Sequence, residues 1–433
     1  MSTLKMNEKK EVIKKILREL HSGVSLEVLK ERFQEALKGI SPMEIPLIEQ
    51  ELVREGVPIQ EIIKLCDLHV ALFRDFLVSR ELEDVPRGHP LNLLLMENEY
   101  LLKKAEALNI YALSLSRATD EDEKKNLINH IRDLINDLRR IRAHYRKIQM
   151  LIFPYMEKRG ISAVPRVLWA REDEIIVKLR GIVKLLESND YIEISKKASE
   201  IANGISEIIF RENKILFPAL WVLLSEGEWA AINDEANKIG WLVNMDVKWT
   251  PMEKPIMPYE VKGVISEEML EKLPQEMKIM ALTGGVKPDE YELIRPGDLN
   301  LKTGFINLDE LKSLFQSLPL EVTFADANDR VRFFSEGKFH KGFVRSKTIL
   351  GRRIEYCHPP RLEAFIKKVL NELKSGTKDY EVFWTKMGDR IIRVMVVALR
   401  NDEGKYLGAL EIVEDLTEVI ENPEEAKRKI LVV

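Results

Sequence analysis

The sequence predicts a multidomain protein that is all-α over roughly its first 240 residues and α+β after that. Three observations carry this expectation. Apolar residues recur at helical spacing from Lys5 to about Gly240. Pro251, Pro255 and Pro258, followed by the run TGGVKPDEYELIRPGDLN, then interrupt the pattern. From Phe305 onward one amphipathic helix leads into alternating strands joined by DAND and RNDEG turns, the signature of an antiparallel sheet.

With 433 residues, the chain is long enough for two or three domains at roughly 150 residues each. Lys and Arg total 67 against 71 Asp and Glu, so no strong basic field invites nucleic acid. Only two cysteines occur, Cys66 and Cys357, and they form no CxxC pair, which fits a reducing compartment. No apolar run approaches the roughly 18 residues that span a bilayer, and the first residues are already charged. The expectation is a cytoplasmic protein without a membrane partner.

Residues 1–80 read as a domain of short helices: VIKKILREL, SLEVLKERFQEAL, SPMEIPLIEQELVREG and PIQEIIKLCDLHVALFRDFL. Ser41, Pro42 and Glu44 supply a cap, a first-turn proline and an acid near the helix start. Asp84, Pro86 and Gly88 mark a break. Residues 88–242 then hold amphipathic segments at 90–117, 121–157, 166–187 and 192–224, lengths that suit an antiparallel four-helix bundle. Residues 243–304 read as a linker, 305–422 as the α+β domain and 423–433 as a tail.

Helical geometry shows which polar side chains face the bundle core. Glu172 shares a face with Ile176, Leu179, Val183 and Leu186, and Glu212 lies among Ile201, Ile205, Ile208, Leu216 and Ala219. A buried carboxylate requires a cation, a hydrogen-bond partner or a proton. His89 opens the first bundle helix and His144 flanks the stripe of Ile141, Ile148 and Leu151. His89, His144, Glu172 and Glu212 are therefore candidate metal ligands, an N/O set suited to iron, manganese or zinc. The other reading is a buried carboxylate paired with Arg or Tyr and a histidine that only caps. His130, Asp133 and Asp137 read as a solvated face.

GHPLNLLLMENEYL, HYRKIQMLIFPYMEKRGI, PRVLWAREDEI and ISEIIFRENKILFPAL together resemble the hemerythrin-like (HHE cation-binding) domain of DUF438 family proteins. The N-terminal helices resemble that family's own helical domain. LPLEVTFADANDRVRFFS, RSKTILGRRIEYCHPPR and FWTKMGDRIIRVMVVALRNDEGKYLGALEIVEDLTE are similar to its PAS domain. The resemblance implies a non-haem iron centre, mononuclear or dinuclear, or another divalent metal. It also implies that His89, His144 and Glu212 match family positions. Asn92 stands where a second histidine is often found, Gln149 replaces an acid, and Glu172 stands where a histidine can occur. A carboxylate-rich metal pair, a single metal and a metal-free polar core all remain open on these residues.

In the PAS-like region, Cys357, His358 and His340 are candidate haem ligands, set against a plain approach to a helix at Pro359–Pro360. Arg345, Lys347, Arg352 and Arg353 form a cluster that could attract an anion or an acidic partner, but with Asp326, Glu336 and Glu355 close by they read as a solvated face. The helix LDELKSLFQSL resembles the flanking helix through which PAS domains dimerise, implying a homodimer. No phosphate-binding loop, dinucleotide fingerprint or nucleophile elbow occurs. The expected function is a cytoplasmic sensor: the bundle binds metal and responds to oxygen, nitric oxide or redox state, and the PAS domain takes a small ligand or an unidentified protein partner. The alternatives are a non-haem iron oxidoreductase acting on nitric oxide or peroxide, and a metal-free interaction scaffold.

Overall fold

The computed structural model describes residues 23–32, 84–188, 190–262, 287–336 and 343–430, together with residues 12, 15, 16, 19 and 82. It divides into two compact units, Met1–Glu292 and Leu293–Val433. The start signal at Ser41–Glu44, Cys66 and His340 lie outside the described residues. Of the N-terminal helices, the described parts are the helical residues 12, 15, 16 and 19 and α1 (Leu26–Arg32), whose first turn is met by the Ser25 hydroxyl, accepting from the Val28 N–H at 3.4 Å.

The bundle is built from α2 (Pro90–Arg117), α3 (Glu121–Leu138), α4 (Ile141–Lys147), α5 (Phe153–Lys158), α6 (Ala163–Leu185), α7 (Tyr191–Arg211) and α8 (Phe217–Leu223), with α9 (Glu226–Ile239) following. Their starts are chemically marked. Asp120 accepts from the Glu123 N–H, Asp190 from the Glu193 N–H, and Ser225 with Glu228 forms a full capping box. Helices α6 and α7 approach closely at Gly204, where a Cβ would come within 2.4 Å of Ile175 Cδ1.

Two π turns interrupt the bundle helices, Ile148–Ile152 between α4 and α5 and Glu212–Leu216 between α7 and α8. Each is followed by Phe-Pro, Phe153–Pro154 and Phe217–Pro218. A proline ring inside an α-helix clashes with the carbonyl four residues back and cannot donate to it. Widening the preceding turn relieves both problems: the Phe153 N–H bonds to Ile148 O and the Phe217 N–H to Glu212 O, five residues back.

The core forms two apolar clusters. One includes Leu91, Leu94, Ile148, Ile152, Leu168, Leu216 and Phe217, the other Leu101, Ile141, Tyr145, Ile175, Leu179, Ile208 and Ile209. Fully burying each large aliphatic side chain contributes about 1.5–3 kcal/mol, so many such residues offset a few buried polar groups. The centre of the α6 stripe runs through Ile175, Leu179, Ile182 and Leu186, one residue from the Ile176–Val183 line expected, with Glu172 on it as predicted. His130 stacks on Tyr111 outside the core, and Asp137 pairs with Lys104 at 2.7 Å.

Residues 241–262, read from sequence as the end of the bundle and the start of a linker, lie on the bundle. The Tyr155 hydroxyl donates to Ile256 O at 2.7 Å, and the Ile256 N–H donates to Gly227 O at 2.9 Å. Among the described residues, no helix is long and apolar enough to cross a membrane.

The second unit begins with a small hairpin, β1 (Leu299–Asn300) and β2 (Phe305–Ile306), and continues through α10 (Leu308–Ser317). The main sheet comprises β3 (Glu321–Asp326), β4 (Val331–Phe334), β5 (Tyr380–Met387), β6 (Arg390–Arg400) and β7 (Tyr406–Asp415), in the antiparallel order β4-β3-β7-β6-β5. Helix α11 (Glu363–Ser375) packs Val369, Leu370 and Leu373 against Ala409, Val396 and Ala398. Two short helices, α12 (Thr417–Glu421) and α13 (Pro423–Arg428), close the described chain. Directly paired residues share a face, which puts Glu321, Thr323 and Glu411 on the α11 side.

Candidate functional site: a polar layer in the bundle core

Between the two apolar clusters each helical segment turns one or two polar residues inward. Glu97 and Asn98 fall between Leu94 and Leu101, His144 before Ile148, Glu172 between Leu168 and Ile175, and Glu212 between Ile209 and Leu216. Glu97, His144, Glu172 and Glu212 are all fully buried. The π turns contribute directly: Gln149 lies in the first, Glu212 and Asn213 in the second.

His144 is the centre of this layer. Its Nδ1 lies 2.6 Å from Glu97 Oε2 and its Nε2 3.1 Å from Glu212 Oε2. Burial alone would favour the neutral ring, but the Glu212 and Glu97 carboxylates outweigh it and raise the imidazole to about 9. Both nitrogens then donate, and the ring is an imidazolium at neutral pH. Glu97 Oε1 also receives the Lys147 ammonium at 3.0 Å and the Leu242 N–H at 2.7 Å. Burial works against the Glu97 carboxylate, yet these donors hold it below its ordinary range. Lys147 in turn donates to Gly240 O at 2.8 Å and sits 4.9 Å from the centre of the Trp241 ring.

Glu172 is in a different state. Gln149 Nε2 donates to its Oε2 at 2.6 Å, while Oε1 has no hydrogen-bond partner. Burial, reinforced by the Glu212 charge, raises the Glu172 carboxyl to about 8, so it carries a proton at pH 7. Glu212 Oε1 and the Tyr145 hydroxyl are likewise buried without partners. Burial, with Glu212 and Glu172 adding to it, pushes the Tyr145 phenol well above its ordinary range. Asn98 donates to Asn213 Oδ1 at 2.8 Å.

Of the four sequence-predicted ligands, His144 and Glu212 touch, Glu172 interacts electrostatically with both, and His89 does something else. The His89 ring caps α2, its Nδ1 accepting from the Leu91 N–H at 3.1 Å. It packs edge-on against Trp221, Trp229 and Trp249 at 4.5–5.3 Å, and burial lowers it to about 4, which keeps it neutral. Asn92 accepts the Gly88 N–H at 3.2 Å, a structural use of the position where the resemblance implied a second histidine. Asp173 and Glu174 point outward.

Sequence reasoning missed Glu97 and Lys147. The signal for Glu97 was available: Leu94, Leu101, Ala105, Leu108, Ala112 and Leu115 form the buried stripe of α2, and Glu97 with Asn98 fills its one polar gap.

The donor set does not fit a hemerythrin-type iron pair. Its core imidazole has both nitrogens engaged by carboxylates, and among the described residues no three of His, Cys, Asp or Glu converge as a preformed metal cage. Glu172 and Glu212 each keep one buried oxygen without a partner, the donors that a single cation would find in this layer.

In the second unit, Arg345 departs from the solvated face expected for it. Its side chain is 9% exposed, pairs with Glu321 and, at 2.6 Å, with Glu411, and donates to Thr323 at 2.8 Å. His358 Nδ1 lies 2.9 Å from Ile354 O, and the Cys357 thiol donates to Arg353 O. Each of these two haem candidates is thus turned to a backbone carbonyl four residues back.

Residues 13–79 match a family of unknown function, DUF438, residues 89–220 the hemerythrin HHE cation-binding domain, and residues 311–417 a PAS domain. The chain thus combines these three domains, a composition that supports a sensor or signalling protein in general terms. Similar solved structures include the C-terminal domain of a protein from Streptococcus mutans, 26% identical over 30% of this chain and 98% of that one, with a TM-score of 0.27. A sensory box sensor histidine kinase from Vibrio cholerae is 12% identical over 24% of this chain and 88% of that one, with a TM-score of 0.19. The PAS domain of a protein from Colwellia psychrerythraea is 16% identical over 26% of this chain and 98% of that one, with a TM-score of 0.22. No curated protein matches the chain.

Proposed function

For a chain that joins a hemerythrin HHE domain to a PAS domain, we propose a sensor whose bundle takes up one divalent cation, iron, manganese or zinc, at Glu172 and Glu212 beside His144. The PAS domain binds a small ligand or a protein partner. The observation that carries this reading is the pair of buried, unpartnered oxygens, Glu172 Oε1 and Glu212 Oε1. Among the described residues, Glu97, Glu172 and Glu212 are paired in this layer with two cationic groups, His144 and Lys147. One negative charge is left over; a proton on Glu172 neutralises it, and a divalent cation does so when His144 gives up its proton.

The chain's own residues prepare the place. Gln149 orients Glu172, Glu97 fixes the His144 ring, and Lys147 keeps Glu97 occupied so that it does not compete. A bound iron would supply a centre responsive to oxygen or nitric oxide. Elemental analysis of untagged protein after anaerobic loading tests the reading. The expected result is about one metal per chain in wild type, with the metal lost in Glu172→Gln and Glu212→Gln variants that remain folded. Negligible metal in all three refutes it.

A metal-free polar layer is favoured by one observation, the engagement of both His144 nitrogens, and the same experiment decides between the two. The exposed Leu308 and Leu314 of α10 support a homodimer through this helix. Light scattering of Leu314→Glu tests it, with monomer expected from the variant and dimer from wild type.

A further inference from the structure

A cleft of about 500 Å3 opens on the bundle between α9 and the strap of residues 240–249. Its wall carries two indoles, Trp241 and Trp249, the carboxamides of Asn233, Asn237 and Asn244, and the amine of Lys248. No Asp or Glu is among its lining residues. We propose that this cleft binds a flat, hydrogen-bonding ring carrying one anionic group, the chemistry of a purine mononucleotide.

Each part of the wall points to that class. Indole faces stack on planar rings; Trp241, with Lys147 over one part of its ring, is fixed by its N–H donating to Asn237 Oδ1 at 2.9 Å, and the Asn233 and Asn244 carboxamides present donors and acceptors to a ring edge. Lys248 is the only charged side chain in the lining, so it favours an anion and no carboxylate opposes it. The volume lies within the range of small-ligand pockets, about 300–1,000 Å3.

The wall is also built before any ligand arrives. Lys147 holds Gly240 O, and Glu97 holds the Leu242 N–H. Trp249 packs 4.5 Å from the His89 ring. Gly88 (φ +79°) meets the strap so closely that a Cβ there would lie 2.3 Å from Val247 O. A preformed wall lowers the ordering entropy lost on binding. Through Glu97 the strap shares a side chain with His144, so an occupant that moves the strap acts on the polar layer.

Calorimetric titration of the full chain with AMP, adenosine and inorganic phosphate tests the proposal, with tryptophan emission as the second readout. AMP should bind saturably and change the emission, and phosphate alone should not bind. The Lys248→Glu variant, altered at an exposed position, should bind AMP about tenfold more weakly or worse while leaving adenosine unchanged. Asn244→Leu should weaken AMP and adenosine together. Folded wild-type protein that gives no saturable response to millimolar AMP overturns the proposal, as does AMP binding that both substitutions leave unchanged.

Discussion

The bundle's polar layer and the Glu321–Arg345–Glu411 triad of the sheet both bury charge, and they satisfy it in opposite ways. In the sheet one guanidinium reaches two carboxylates and the Thr323 hydroxyl, and neither carboxylate has an oxygen that is fully buried without a partner. In the bundle, His144 and Lys147 satisfy Glu97 and half of Glu212, and two carboxylate oxygens and a phenol remain without partners. A self-satisfied cluster specifies a fold. An incomplete one marks a place where a proton or a ligand completes the structure.

The sharpest way to break this comparison is Glu97→Ala. It takes the only carboxylate from the buried Lys147 ammonium, leaves His144 with Glu212 alone and frees the Leu242 N–H, so unfolding of the bundle in urea should lose about 3–5 kcal/mol. Arg345→Ala should cost the second unit about 3 kcal/mol by stranding Glu321 and Glu411, with no change in the metal content of the chain.

A smaller effect, opposite in sign, is expected at Glu172. Its folded value of about 8 lies above the ordinary 4.5, so the stability it confers is complete below about pH 4.5 and lost as pH rises through 8. His144, at about 9 against 6.5, loses its contribution as pH rises through 9. With chelator present, the wild-type melting temperature should fall steadily from about pH 5 to 9. Glu172→Gln should flatten the lower part of that fall and, at pH 8, be as stable as wild type or about 1 kcal/mol more so. A profile identical to wild type would mean that Glu172 is ionised in the folded protein. The smallest expected effect is Asn92→Ala, which removes the bond to the Gly88 N–H; denaturant titration should register about 1 kcal/mol, with metal retention unaltered.

The same contrast explains what was legible in the sequence. Glu172, Glu212 and the position of His144 follow from helical spacing, because a charge on an apolar stripe is visible without coordinates. Glu97 was obscured by its neighbours in MENEY, and Lys147 by the basic run HYRK, where one ammonium turns inward among several that do not. The strap after Trp241 reads as linker because backbone groups make several of its attachments, and these have no periodicity. Arg345 was misjudged because its partners lie far away in sequence, on β3 and β7.

The two π turns constrain how such a bundle can diversify. Each inserts one residue into its helix and so shifts every later side chain by about 100°. The apolar stripe changes phase at Ile148–Ile152 and again at Glu212–Leu216, the levels where the buried charges lie. Deleting one residue from either turn would rotate the following segment out of register with the other helices. A descendant sequence can therefore exchange the residues of the polar layer one at a time, but it can move that layer along the bundle only by moving two insertions and two prolines in step.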